Sequence, residues 1–279
     1  MPSFATPEPI TLDLDVTAGG VLIAATDRDD TVVEVAPADP DNGKDVAAAE
    51  GTAVDFAGGR LTIKTPRSRG VFGKTGSVDV VVRLPTGSHV AAQGSLTDFR
   101  AEGALGECRF KTSAGHIRLQ DTAALKASTS HGDVLVERVT GRAELSTGSG
   151  ELRVDRLDGS GTVKNSNGPT RIGEVTGDVR AGAANGDIVV GHAAGDVHAK
   201  TANGRIRVEE AVRGSVVMET SAGQLEVGIR EGTAAWLDVR SIAGRVRNEL
   251  TSADTPGDAE ERVEVRARTS LGDIVIHRA

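Results

Sequence analysis

A glycine followed by a short alternating apolar segment recurs through the C-terminal half of the chain, and this repeat constrains the fold more than any other feature. Four consecutive intervals between these glycines are 18 residues long. A second series of glycines lies nine or ten residues further on, so the repeating unit contains two strands and two turns. We call the first series the marker glycines: Gly115, Gly132, Gly150, Gly168, Gly186, Gly204, Gly223, Gly244 and Gly272.

The apolar residues of the repeat lie on one face of each predicted strand, since side chains alternate between the two faces. The residues two and four positions after a marker glycine are apolar in nearly every unit, as in Ile188 with Val190 and Ile206 with Val208. One unit cannot bury these residues alone, whereas stacked units form a continuous apolar column. We therefore predict an all-β fold, a parallel β-solenoid with two principal strands per coil and about 18 residues in each coil.

Asparagines precede the marker glycine in three successive units, at Asn167, Asn185 and Asn203. Asn-Gly favours a tight turn. We predict that these asparagines stack and hydrogen-bond to one another along the axis of the solenoid. The alternative is an asparagine row that binds sugar.

Residues 1–95 lack the repeat but contain short alternating segments separated by turn-rich stretches. The segment DVAAAE at residues 45–50 indicates one or two helical turns. We predict an N-terminal antiparallel β region over residues 1–95 that caps the solenoid, because an open end exposes unpaired backbone, and solenoid repeats over residues 96–279. The terminal strand GDIVIHRA is expected to present an open edge to a second copy in an end-to-end homodimer.

Composition and charge exclude several classes of protein. A net charge of −8 argues against nucleic-acid binding. No apolar segment is long enough to cross a membrane and no signal peptide is evident, so we expect no membrane insertion and a cytoplasmic location. Cys108 has no second cysteine to pair with and is predicted to be a buried, inert thiol. Trp236 is expected to fill space in a distorted coil.

Three parts of the sequence together resemble a bacterial family of adhesin-like β-strand-repeat proteins of unknown function, of the type common in actinobacteria. They are the blocks DVAAAEGTAVDFAGGRLTIKTP (Asp45–Pro66) and SVDVVVRLPTGSHV (Ser77–Val90), and the run of TSxG and NG units that follows. The resemblance covers nearly the whole chain. It implies a β-solenoid, without an established reaction or substrate, and the adhesin label implies exposure at the cell surface.

Motifs for cofactors and metals are incomplete, so we predict neither. Ser68–Gly76 approaches a phosphate-binding loop but lacks its opening glycine and leads into a strand rather than a helix. The histidines show no ligand spacing. Calcium repeats need more oxygen ligands than the single aspartates that follow glycines here. These aspartates are Asp133, Asp178, Asp187, Asp196 and Asp273.

An arginine recurs three positions after the marker glycine, on the outward face of the predicted strand, and acidic residues flank it. One interpretation is a solvated sheet face with interleaved ion pairs. The other is a binding strip for an extended anionic polymer or a protein partner. We call these residues the Arg row: Arg118, Arg153, Arg171, Arg207 and Arg247.

The sequence therefore predicts a non-catalytic interaction or structural scaffold, since no convergent catalytic set is found. The alternative is a carbohydrate-active enzyme of β-helix type, a polysaccharide lyase or hydrolase. That enzyme would need an outward cleft with two or three carboxylates and a long bordering loop. The polar insertion Thr251–Arg262, which we predict to be a surface loop, is the candidate for it.

Overall fold

The computed structural model describes residues 2–66, 76–250 and 261–279. Most of the described residues are in β-strands, and they belong to two compact units, residues 1–140 and 141–279. Most of the phosphate-loop-like segment Ser68–Gly76 and most of the insertion Thr251–Arg262 lie outside the described residues.

The described part of the first unit contains nine strands and one helix. They are β1 (Ser3–Ala5), β2 (Thr11–Thr26), β3 (Asp30–Pro37), α1 (Gly43–Glu50), β4 (Ala53–Ala57), β5 (Arg60–Lys64), β6 (Val78–Pro85), β7 (His89–Lys111), β8 (Ile117–His131) and β9 (Val134–Val139). The helix confirms the helical turns predicted at residues 45–50. Its N-cap is Asn42, whose side chain accepts from the backbone N–H of Lys44.

Parallel stacking begins early in the first unit. The strand β2 pairs in parallel with β5, β6 and β7, and β7, β8 and β9 follow one another in parallel register, which aligns Phe99, Ile117 and Val134. Antiparallel pairing in the described part of this unit joins β1 to β3, β3 to β6 and β4 to β5. The N-terminal region is therefore mixed, and residue 95 lies inside β7.

The described part of the second unit contains fourteen strands. They are β10 (Ala143–Ser149), β11 (Leu152–Leu157), β12 (Gly161–Asn167), β13 (Thr170–Val175), β14 (Val179–Asn185), β15 (Ile188–Ala193), β16 (Val197–Asn203), β17 (Ile206–Ala211), β18 (Gly214–Ala222), β19 (Leu225–Ile229), β20 (Thr233–Ala243), β21 (Val246–Asn248), β22 (Glu261–Leu271) and β23 (Ile274–Arg278). Each even-numbered strand and the odd-numbered strand after it form one coil.

Coils of the second unit stack in parallel with the predicted period. Leu152 pairs with Thr170, Thr170 with Ile188, and Ile188 with Ile206. All four side chains are buried, as is Val134 in the first unit. The predicted aliphatic column is therefore confirmed, with Thr170 as its one polar member between β11 and β17.

The marker glycines are required by the close approach of successive coils. Gly186 has a φ of +148°, and a Cβ built on it would lie 2.0 Å from the carbonyl oxygen of Gly168 in the preceding coil. Residues other than glycine rarely adopt this backbone conformation, and no Cβ fits beside that carbonyl.

A threonine lies three positions before most marker glycines, and its side chain is buried. Thr201 Oγ1 donates to the carbonyl oxygen of Gly186 in the preceding coil at 3.3 Å, and Thr220 Oγ1 donates to that of Gly204 at 3.1 Å. Each buried hydroxyl thereby satisfies a turn carbonyl of the adjacent coil. The sequence repeat displays this threonine clearly, but its role depends on the coil-to-coil contact.

The order of coils at the end of the second unit differs from the order of the chain. The strands β22 and β23 lie between the β18–β19 coil and the β20–β21 coil, which we call the terminal coil. The expectation that GDIVIHRA presents an open edge is therefore wrong, because β23 pairs on both sides. An interior coil must bury both inward residues of its second strand. The β22–β23 coil supplies two apolar residues there, Ile274 and Ile276, which are fully buried, whereas the terminal coil supplies Val246 and the polar Asn248.

The prediction that Trp236 fills internal space is also wrong. It lies on β20 opposite Glu264 and is 57% exposed. Its position on the strand is an outward one, since side chains alternate between the faces and its neighbours Ala235 and Leu237 face the core side.

Candidate interaction site

The second strands of the second unit carry four members of the Arg row. Arg153 pairs with Arg171, but Val189 separates Arg171 from Arg207, and Glu226 and Val275 separate Arg207 from Arg247. These positions follow the register of β11, β13, β15, β17, β19, β23 and β21. Arg118 lies on β8 of the first unit. The row is therefore interrupted by Val189 and Glu226, and the position of the terminal coil after β23 adds Val275 to the second gap.

Three of the five guanidinium groups of the Arg row form ion pairs with carboxylates. Arg153 Nε lies 2.6 Å from Asp155 Oδ1, and this hydrogen bond is the main cause of the raised pKa of Arg153. Arg207 Nε lies 3.4 Å from Glu226 Oε1. Such exposed pairs stabilise the fold little, but they cancel charge on the face.

The remaining pair in the row joins neighbouring strands, with Arg247 Nη2 at 3.7 Å from Asp273 Oδ2. Arg118 and Arg171 have no ion-pair partner among the described residues. The arrangement supports the interpretation of the face as interleaved ion pairs more than that of a continuous cationic strip.

Arg118 borders a shallow groove of about 380 Å³ in the first unit. Its charged lining residues are largely engaged with one another or with neighbours. Asp98 Oδ1 accepts from the backbone N–H of His116 at 2.7 Å, and Arg100 Nη2 lies 2.8 Å from Glu102 Oε1. This groove has no excess of one charge, so we do not take it as the candidate site.

The asparagine row forms the predicted ladder. Asn185 Nδ2 donates to Asn167 Oδ1 at 3.0 Å, and Asn203 Nδ2 donates to Asn185 Oδ1 at 2.9 Å. Because each amide is engaged along the axis, the row is a structural element, and the alternative of a sugar-binding row receives no support.

Aspartates that follow glycines cap backbone N–H groups of the neighbouring coil. Asp187 Oδ1 accepts from Arg205 N at 2.8 Å, and Asp273 Oδ1 accepts from Arg245 N at 2.8 Å. Their carboxylates therefore face amide donors of the stack rather than a shared ion. Within residues 2–66, 76–250 and 261–279, no group of three or more His, Cys, Asp or Glu side chains could hold a metal ion.

The prediction of a buried thiol at Cys108 is confirmed. Burial raises the pKa of the Cys108 thiol to about 12, and the nearby Glu107 carboxylate adds to the rise. The thiolate is the nucleophilic form of cysteine, so Cys108 is unreactive near neutral pH.

A cationic groove lies on the first strands at the end of the second unit, and the repeat analysis missed it. Its volume is about 430 Å³. Four charged residues form one column across adjacent strands, with Lys200 beside Glu219, Glu219 beside Arg268, and Arg268 beside Arg240. The lining residues are Lys200, Thr201, Glu219, Thr220, Ser221, Arg240, Ile242, Arg268, Thr269 and Ser270.

Three cations and one carboxylate line this groove, and the carboxylate of Asp238 pairs with Arg268 from beside it, so the cluster keeps a small positive balance. Lys200 Nζ lies 3.0 Å from Glu219 Oε2, and the hydrogen bond from Lys200 is the main reason that the pKa of Glu219 is lowered. Arg268 Nη2 lies 3.1 Å from Asp238 Oδ2. Arg240 has no acidic partner among the described residues and is exposed to solvent.

One sequence signal marks this column. Each of its four residues directly precedes the Thr or Ser that lies three positions before a marker glycine. The column still could not be assembled from the sequence, because its order across the sheet is 200, 219, 268 and 240. Chain order would have placed Arg240 beside Glu219.

The architecture and the surface define a class, an all-β parallel solenoid whose described residues present charged outer faces. Within that class the chain belongs to the Toastrack DUF4097 family, which matches residues 10–277. The resemblance drawn from the sequence is thereby confirmed, whereas the actinobacterial type stays a prediction. No helix in the described part of the chain is long and apolar enough to cross a membrane. No curated protein matches the chain.

Solved structures with similar chains come from several bacteria. A "putative adhesin" from Bacteroides fragilis is 13% identical, covers 99% of this chain and 95% of its own, and has a TM-score of 0.35. A "putative cell adhesion protein" from Clostridium sporogenes is 11% identical, with coverage of 100% and 98% and a TM-score of 0.28. A "putative lipid binding protein" from Parabacteroides distasonis is 9% identical, with coverage of 100% and 95% and a TM-score of 0.31.

Proposed function

We propose that the chain is a non-catalytic, adhesin-like interaction scaffold that binds a partner protein through the cationic groove. The observation that carries this proposal is the column of Lys200, Arg268 and Arg240, which gathers positive charge from three strands on a chain of net charge −8. The stacked coils supply a fixed backbone for these side chains. A local positive region on an acidic protein attracts anionic groups.

The partner that fits best is an extended acidic protein segment. Its carboxylates would pair with the cations, and Ser221 and Ser270 supply hydroxyl groups for further hydrogen bonds. Ile242 adds an apolar contact at one end of the groove. The residues that line the groove include no aromatic ring on which a sugar could stack, so we favour a protein over a polysaccharide.

The charge arrangement also supports a non-catalytic role over the carbohydrate-active alternative. Glycoside hydrolysis uses two carboxyl groups, one of them protonated at the working pH. The groove contains a single carboxylate, Glu219, and the Lys200 ammonium group holds its pKa low. The lowered pKa favours an ion pair and disfavours a general acid. The cytoplasmic location stays a prediction, and an adhesive role would require exposure at the cell surface.

Titration of the full chain with a fluorescent glutamate-rich peptide tests this proposal. Binding should weaken at least about tenfold in Lys200→Gln/Arg268→Gln and should fall with added salt. Lys164→Gln is the matched control, since Lys164 lies in the same outward column on β12 but outside the groove. Equal binding by the double variant and the control would refute the site.

Two further measurements separate the alternatives. Polygalacturonate and a sulfated dextran replace the peptide in parallel titrations, and binding to these polymers alone would replace the protein partner by a polysaccharide. Release of reducing ends from a panel of acidic and neutral polysaccharides would refute the non-catalytic role.

A further inference from the structure

The terminal coil has an open edge. Within the described residues, β20 pairs only with β22 and β21 only with β23. Gly272 N donates to the carbonyl oxygen of Ala243, which shows that the odd-numbered residues of β20 bond toward β22. In a parallel ladder the alternate residues point their N–H and C=O groups the other way. The even-numbered residues of β20 therefore direct their backbone groups to the open edge.

Apolar and charged side chains accompany these free backbone groups. Trp236 is 57% exposed and Ile242 is 74% exposed, with Asp238 and Arg240 between them on the same face. Natural edge strands are commonly protected by proline, bulges or inward charges, and the sequence TAAWLDVRSIA of β20 contains no proline. An edge of eleven residues without proline is a template for another strand.

We propose that this edge binds the same edge of a second copy of the chain, with the two β20 strands antiparallel and centred on Val239. A two-fold axis makes such a contact self-complementary. The contact shares Arg240 and Ile242 with the cationic groove. The proposal does not rest on the ligand of that groove, because its tests measure self-association without any ligand.

Backbone geometry and charge together select this register. The free N–H and C=O groups belong to even-numbered residues. Hydrogen-bonded pairs between the two copies must therefore join an even-numbered residue of one β20 to an even-numbered residue of the other. A centre on Asp238 would oppose that carboxylate to its own copy, and a centre on Arg240 would oppose two guanidinium groups. A centre on Val239 instead places Asp238 opposite Arg240 of the second copy.

The same register brings the exposed apolar side chains together. With Val239 at the centre, Trp236 of one copy lies opposite Ile242 of the other. Aromatic and β-branched residues form favourable cross-strand pairs. Arg240, which lacks an acidic partner among the described residues of its own chain, gains one from the second copy. Asp238 then lies between Arg268 of its own chain and Arg240 of the other.

Sedimentation analysis over a range of concentrations tests the contact on the full chain. The wild type should form a dimer, and Arg240→Asp should weaken self-association at least about tenfold by opposing two carboxylates at each pair. Asp238→Arg/Arg240→Asp should recover part of it. Arg180→Asp, on the outward face of β14, is the matched control and should dimerise like the wild type. A monomeric wild type, or an unaffected Arg240→Asp variant, would overturn the proposal.

Cysteine cross-linking tests the register itself. With the centre on Val239, the Val239 residues of the two copies form a non-hydrogen-bonded pair. Their Cα atoms then lie about 4.5 Å apart, a separation that a disulfide can bridge. Val239→Cys should therefore cross-link on mild oxidation. Leu237→Cys should not, because Leu237 then faces Ser241 of the second copy. Cys108 is buried and does not interfere. Cross-linking of Leu237→Cys as fast as Val239→Cys would exclude this register.

Discussion

The interior β14–β15 coil and the terminal coil share one sequence pattern but occupy different environments. Both have a marker glycine, and both have an apolar residue two positions after it. Ile188 of the interior coil is fully buried, with an exposure of 0%, whereas Val246 at the same column position is 44% exposed. The interior coil has a neighbour on each side, and the terminal coil has one among the described residues.

The comparison teaches that the repeat specifies a coil but not its place in the stack. A coil in the interior must supply apolar side chains to both neighbours, since its inward residues contact the coils on either side. The β22–β23 coil meets this condition with Ile274 and Ile276. The terminal coil, with Val246 and Asn248, is stable at the end.

The largest effect is expected at an interior marker glycine. Gly186→Ala should lower the free energy of unfolding by about 3 kcal/mol or more, because a Cβ cannot fit beside the Gly168 carbonyl at positive φ. Gly182→Ala in the same coil is the control. Its Cβ would meet no atom within 4 Å, so the change should be neutral or slightly stabilising. Urea unfolding measures both, and equal losses would refute the requirement for glycine at the turn.

The next largest effect on the free energy of unfolding is expected at the inward position that Ile188 and Val246 occupy in the two coils. Ile188→Ala should cost about 3 kcal/mol of unfolding free energy, because it leaves a cavity in a closed core. Val246→Ala should cost less than about 1 kcal/mol, since the side chain is already partly in solvent. Similar losses in the two variants, measured by urea unfolding, would show that the terminal coil is covered in solution.

Two buried threonines should respond in opposite directions. Thr201→Val removes the hydroxyl that donates to the Gly186 carbonyl and should cost about 1 kcal/mol. Thr170 Oγ1 is buried in the aliphatic column without a hydrogen-bond partner among the described residues, so Thr170→Val should gain about 1 kcal/mol. Thermal unfolding of the two variants measures the signs. A loss in both would mean that Thr170 has an unrecognised partner.

The smallest effect concerns the Lys200–Glu219 ion pair and is pH-dependent. The lowered pKa of Glu219 means that its contribution to stability is complete above the ordinary value of 4.5 and is lost as the pH falls through the value of the folded chain. Glu219→Gln should cost about 0.3 kcal/mol at pH 7, since the pair is largely exposed. The difference from the wild type should disappear in acid, and Lys200→Met should show the same profile.

Much of the fold could be predicted because the determinants repeat within the chain. Alternation after each marker glycine predicts inward residues such as Ile188, and Asn-Gly predicts the ladder through Asn185. Both features depend on contacts between equivalent residues of neighbouring coils. The N-terminal boundary could not be placed in the same way. Gly19 in β2 has the positive φ of a marker glycine and is followed by buried Val21 and Ile23, but it lies outside the regular 18-residue spacing.

Most of the candidate site could not be predicted from the sequence, for a different reason. The cationic groove depends on Arg268 lying between Glu219 and Arg240, and this order places the β22–β23 coil, with the more apolar inward pair, before the terminal coil. The Arg row was found by its spacing, but three of its members are paired with carboxylates that the spacing also displays. A sequence period therefore predicts which side chains face outward more reliably than it predicts the net charge of that face.

The intercalated β22–β23 coil has a consequence for biosynthesis. Coils that follow one another in the chain can dock as soon as the ribosome releases them, but the terminal coil is synthesised before the coil on which it rests. Residues 233–248 must therefore wait, or bind temporarily to β18 and β19, until residues 261–278 have emerged and displaced them. In the second route, the last step of maturation is a strand exchange in which the β22–β23 coil replaces the terminal coil on β18 and β19.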